Sequence, residues 1–228
     1  MNMFANLRPN QLGAISAMIA VFFFSVNDGA IKFLSGGYAL HEVVLIRSVI
    51  GLVILLVLIA PLTDGFAIFK TKRLGMHLIR GFCVVMANMT FFLGLAAMPL
   101  ADAVAIFFIS PLIITVFSVV FLGEYVGPRR WAAVIVGLIG VVIMMRPGTA
   151  SFQYASLLPV VAATAYAGLH MLTRLIGRTE SAATMAVYIQ IVFITVCVII
   201  GLAVGDGRFG DQSDPSLRFL LRAWEWPV

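Results

Sequence analysis

The chain has 228 residues, 62% of them hydrophobic and only 11% charged, with a formal net charge of +5. Its mean hydropathy of +1.08 leaves too little polar surface to coat a water-soluble globule, for which about 25% charged residues is usual. These values exclude a soluble enzyme or adaptor and point to a membrane protein. The basic residues sit at the ends of apolar runs rather than in a patch, which excludes nucleic acid as a partner.

The first apolar run, near 12–34, ends in NDGAIKF instead of a small-residue cleavage site, so it reads as a retained span. Further runs follow near 40–61, 75–96, 101–122, 129–146, 154–174 and 182–204. Each is long enough to cross about 30 Å of hydrocarbon as a helix. The links SGGY, PLTDG, MPLAD, LGEYVGPRR, RPGTASF and GRTES hold the turn formers. The fold class is therefore all-α and polytopic, because backbone groups in lipid must be satisfied within their own segment. Arg8, Lys70, Lys72, Arg73, Arg129, Arg130, Arg174 and Arg178 fall on one side of these spans. The other side holds Arg146 and Arg208, with Lys32 at a helix end, and the acidic Asp206, Asp211 and Asp214. That asymmetry places the N-terminus in the cytoplasm. The tail SLRFLLRAWEWPV reads as the approach to an eighth span, with a surface-lying helix as the alternative.

Asp28 and Lys32 lie one turn apart on the first span. A charge at mid-membrane costs about 2.5–3.5 kcal/mol and usually faces a cavity or a partner. Lys32 is close enough to the outer end to snorkel, which leaves Asp28, beside Asn27, as the cavity candidate. Arg47 sits seven residues into the second span, about 10 Å down. Its depth matches that of Asp28, and a contact between them would serve as helix glue or as a substrate site. Glu42 reads as a solvated cap, and Arg80 as a snorkelling residue of the third span. Asn88 and Thr90 lie deeper, for bonds across helices or for a cavity.

Ser110 and Pro111 mark the middle of the fourth span, where proline frees the Phe107 carbonyl and kinks the helix. Glu124 reads as a cap or latch beside Arg129 and Arg130, and Gly137 and Gly140 as packing residues. Tyr166, His170, Tyr188 and Gln190 take cavity-plausible positions in the last two spans. His170 suits a proton carrier or an interfacial hydrogen bond. Cys83 and Cys197 are small mid-span thiols. With no nucleophile set, metal-spaced cluster or phosphate loop, the sequence suggests neither an enzyme nor a cofactor or metal site. The expected partners are a small-molecule substrate and the bilayer, and two copies can associate as a homodimer.

Sliding the chain by 142 residues aligns GAISAMIAVFFFSVNDGAIKFLSG with ASLLPVVAATAYAGLHMLTRLIGR, so that Lys32 faces Arg174 and Asp28 faces His170. Five spans separate the copies, and an odd number inverts the second one, as in many secondary transporters. The segments PLADAVAIFFISPLIITVFSVVFLGE, YVGPRR and WAAVIVGLIGVVIMMRPG, with HEVVLIRSVIG earlier, resemble the EamA-type family of the drug/metabolite transporter superfamily. SVNDGAIKF followed by HEVVLIR also resembles its vitamin and S-adenosylmethionine uptake branches. The resemblance implies two inverted five-helix repeats and metabolite transport by alternating access across a bacterial inner membrane. Residues 12–146 would form the first repeat and 154–228 part of the second, so the chain is expected to be a fragment or a truncated product. A non-transporting membrane subunit is the alternative.

Overall fold

In the computed structural model the residues described are 9–62, 65–145, 154–177, 179–206, 208 and 213–224. Arg8, Arg146, Arg178, Asp211 and Trp226, which entered the reading of orientation and tail, lie outside them. The described residues are helical, without strands. Seven helical stretches are long and apolar enough to span a bilayer: Gln11–Leu34, Leu40–Leu62, Leu74–Ala97, Leu100–Leu122, Pro128–Met145, Tyr154–Ile176 and Ala182–Val204. The protein is thus all-α and polytopic, with the expected spans met to within a few residues.

The helices are α1 (Pro9–Leu34), α2 (Leu40–Ile54), α3 (Leu74–Ala97), α4 (Leu100–Phe107) and α5 (Ser110–Leu122). They continue as α6 (Pro128–Met145), α7 (Leu157–Ile176), α8 (Ala182–Val204) and α9 (Pro215–Leu221). Two spans are not continuous α-helices, and a proline accounts for each. After α2 the chain widens into a π-turn, Leu55–Ile59, then tightens to a 3-10 turn at Ala60–Leu62. Pro61 cannot donate to the Val57 carbonyl and its ring crowds that turn, so the register expands ahead of it. The sequence reading had expected one uninterrupted helix here. The fourth span breaks at Phe108 and Ile109, where Pro111 forces a new start and suits the first turn of α5.

Helix α3 is the centre of the bundle. Over half of its apolar window, 56%, is buried, against 6% for α1. It packs on α7, α8, α1, α4 and α9. Val85, Phe92 and Leu95 of α3 meet Leu40 and Val44 of α2, Ala163 of α7 and Phe193 of α8 in one core. The faces of α1 and α6 that carry Phe22, Phe24, Val136 and Ile143 stay exposed. Of the two glycines expected to pack, Gly137 abuts Leu112 of α5, whereas Gly140 faces open space.

The tail forms α9. The Asp214 carboxylate accepts from the Ser216 and Leu217 amides at 2.8 and 3.2 Å, starting the helix, and the Ser216 hydroxyl donates to the Leu93 carbonyl of α3 at 2.9 Å. Phe219 is buried in the core. The described part of the tail is therefore a short helix docked on α3.

Lys32 is not merely an anchor at the interface. Its ammonium donates to the carbonyls of Leu95 and Met98, the latter at 2.9 Å, which end α3. Terminal carbonyls have no partner within their helix and carry the negative end of its dipole, so a cation there both bonds and compensates. Replacing Lys32 by Met should lower stability by about 1–3 kcal/mol, the usual worth of hydrogen bonds to a charged group. A lower melting temperature of the purified protein in detergent checks this, with Lys32→Arg expected to retain most of it.

Candidate membrane-embedded polar cleft

Helix α1 leans on α3 and α4 while α2 leans on α8, and a cleft of about 500 Å³ opens between α1 and α2. Asn27, Leu34, Tyr38, Glu42, Ile46 and Arg47 line it. Its walls are mostly aliphatic, and its ionisable residues are the half-buried Arg47 and the buried Glu42. Arg47 Nη1 donates to Asn27 Oδ1 at 3.3 Å, and Asn27 Nδ2 donates to Asp28 Oδ1 at 3.2 Å. The guanidinium carbon lies 5.6 Å from the Phe92 ring centroid and 5.4 Å from that of Phe193. Two phenyl rings thus offer their electron-rich faces to a cation that has left water.

This arrangement corrects the expected contact. Among the described residues no direct ion pair joins Asp28 to Arg47; Asn27 stands between them and is the arginine's partner. The reason is geometric, since Asn27 and Asp28 are successive helical residues and point about 100° apart. Glu42 is corrected as well: it is 1% exposed, packed inside the start of α2 rather than solvated. Beside it His41 is fully buried and meets the Trp224 ring at 5.7 Å.

The opposite end of the bundle is tied by side chains. Arg80 does not snorkel; it is 8% exposed and donates to the Thr173 hydroxyl at 2.8 Å and the Met185 carbonyl at 3.1 Å. Glu180 accepts from the Thr71 hydroxyl at 2.9 Å and lies 3.6 Å from His77, whose side chain is fully buried. Tyr188 stacks on His77 with centroids 4.8 Å apart and donates to the Phe69 carbonyl at 2.8 Å. Glu124 turns to Arg174 of α7, at 3.1 Å, rather than to Arg129 or Arg130. Those two arginines precede Trp131 on the exposed first turn of α6, away from it.

The remaining candidates scatter. Asn88 and Thr90 donate to the carbonyls of Val84 and Met86 in their own helix, so neither bridges helices. Ser110 is buried at the break in the fourth span, while the Pro111 ring faces outward. Tyr166 meets Phe107 at 5.3 Å and His170, edge to face, at 4.4 Å. Gln190 packs where α8 crosses α2: a methyl group on Gly51 would come within 2.6 Å of its Nε2 atom. Of the ten residues singled out from sequence, Asn27 and Arg47 line the cleft and Asp28 joins them through Asn27. Phe92, Phe193, Thr71, Thr173 and Glu180 escaped the sequence reading. Phenylalanine is abundant here and the three polar residues lie at span ends, so none carries a local signal.

Fold and cleft together define a polytopic helical membrane protein with a cleft that carries ionisable side chains. Residues 11–146, more than half of the sequence, match the EamA-like transporter family, and the chain belongs to that family. It is similar to a riboflavin transporter of Vibrio cholerae, 29% identical over 193 residues, which cover 83% of this chain and 64% of that protein. It is also similar to an S-adenosylmethionine uptake transporter of Rickettsia bellii, 28% identical over 192 residues, covering 84% and 65% of the two chains. A pseudopaline exporter of Pseudomonas aeruginosa is 30% identical over 144 residues, 63% of this chain and 48% of the exporter. The chain therefore spans about half to two thirds of the length of these relatives. No solved structure matches it.

The two carboxylates at the tied end differ in burial, which sets their energetic weight. The Glu180 side chain is 10% exposed and that of Glu124 is 43% exposed. Glu180→Ala strands a buried histidine and a hydroxyl and should cost about 1–3 kcal/mol. Glu124→Ala breaks a solvated pair and should cost under about 1 kcal/mol. Thermal melting of the two variants beside the parent protein measures the difference.

Proposed function

We propose that this chain belongs to a secondary carrier of the bacterial inner membrane that moves a small organic metabolite by alternating access. Family membership and relatives named as riboflavin, S-adenosylmethionine and pseudopaline transporters support the reading. The observation that carries it is Arg47, a charge maintained inside the bilayer in an apolar cleft open to a ligand. Phe92 and Phe193 occupy the neighbourhood of its faces and Asn27 takes one donor, leaving its edge for a carboxylate or carbonyl. A guanidinium edge binds such groups through two parallel hydrogen bonds, so Arg47 is the substrate contact and Asn27, braced by Asp28, positions it.

In this reading the N-terminus is cytoplasmic, the cleft faces outward, and residues 12–146 and 154–228 form one whole repeat and part of its inverted mate. Riboflavin and S-adenosylmethionine are the first substrates to test. With full-length protein in proteoliposomes, Arg47→Ala should reduce uptake at least about tenfold at unchanged protein abundance, the signature of a lost binding interaction. Arg47→Lys should retain charge but lose the paired bonds, giving intermediate uptake. If Arg47→Ala protein vanishes from the membrane while Arg47→Lys transports normally, the arginine is helix glue and the cleft is not the substrate site.

A further inference from the structure

A second cleft, of about 430 Å³, lies between α3, α5 and α7, lined by Cys83, Met86, Phe117, Val160, Thr164 and Gly168. Helix α5 forms one wall and is attached differently at its two ends. At its start the chain turns at Phe108 and Ile109, so α5 is not continuous with α4. Both α4 and α5 pack on α7, α4 through the Phe107–Tyr166 ring contact and α5 along an apolar face whose far end carries the polar tie to Arg174. At its finish Gly123 adopts φ +65°, a left-handed value that suits glycine, and returns the Glu124 amide to the Ser118 carbonyl at 3.2 Å. That fold-back sets the Glu124 carboxylate beside the Ser118 hydroxyl. Arg174, on α7 six residues beyond Gly168, reaches both with Nη1, at 3.1 Å to Ser118 and 3.1 and 3.3 Å to the carboxylate oxygens.

One side chain thus spans the end of this cleft. Its bridge is solvated, with side-chain exposures of 55% for Arg174 and 43% for Glu124. The neighbouring ties from α3 to α7 and α8, through Arg80 and through His77 and Glu180, are buried. Buried charge pairs are expensive to break and solvated ones are not, so under a shared load the bridge yields first.

We infer that Arg174 is a releasable latch that holds α5 shut over the α3–α5–α7 cleft, and that its release admits water from that end. Helix α5 swings about the Phe108–Ile109 break while α4 stays with α7. As the gate of a transport cycle, the latch rests on the carrier reading above; as a conformational device it does not.

The two cysteines of the chain supply the test. Cys83 lines the cleft, and Cys197 is fully buried and serves as the silent internal control. Full-length protein in inverted membrane vesicles is treated with a membrane-impermeant maleimide, and a Cys83→Ala variant identifies the labelled site. Glu124→Gln and Arg174→Gln should each speed labelling of Cys83 about fivefold, the population shift expected from losing one solvated ion pair. The exchanged pair, Glu124→Arg with Arg174→Glu, should return the rate toward the parent value. Unchanged labelling in single variants whose melting temperatures match the parent overturns the latch. Faster labelling without uptake of any substrate supports the latch and counts against the carrier reading alone.

Discussion

The carbonyls of Leu95 and Met98 end the most buried helix of the protein, and a single ammonium from the first helix takes both. Much of the architecture follows from that contact. It fixes the end of α1 against α3, although the rest of α1 is nearly all exposed. With α1 held there and α2 packed on α8, the two helices part, and the cleft with Arg47 lies between them. The same rule acts at the tail, where Ser216 bonds the Leu93 carbonyl and Arg222 donates to that of Gly36 at 3.1 Å. Backbone carbonyls left open at helix ends thus take side-chain donors from whichever element is within reach.

Charges divide by burial into those enclosed among the helices and those that meet in solvent. Arg80, His77 and Glu180 are almost wholly buried and join α3 to the last two spans. Arg174 and Glu124 meet in solvent, where an ion pair contributes little beyond fixing geometry. Arg47 belongs to neither set. It is half-buried and held by two rings and an amide, partners that stabilise a cation without neutralising it.

Both interrupted spans show how proline divides a membrane helix without unfolding it. Pro61 expands the turn before it into a π-turn and lets the helix run on as 3-10. Pro111 instead separates two helical segments that both pack on α7, the first through the Phe107–Tyr166 rings and the second along its apolar face and through a solvated salt bridge. The chemistry is the same, but the surroundings differ: Pro61 ends a span, whereas Pro111 interrupts one in mid-bundle.

The seven spans and their all-helical character were determined by the amino-acid sequence alone, because hydrocarbon permits few other backbone solutions for long apolar runs. The break at Pro111 was equally legible, since the missing amide is a local fact. Partnerships were not. Lys32 read as a surface anchor because nothing near it in sequence shows that α3 ends beside it. Glu42 and Arg80 read as solvated because depth along a helix says nothing of which neighbours cover it. Asp28 and Arg47 were expected to meet, but rotation about the helix axis decided that Asn27 would be the contact. The number and extent of the spans follow from counting residues; position around each helix, and so the identity of each partner, was decided only when the helices packed.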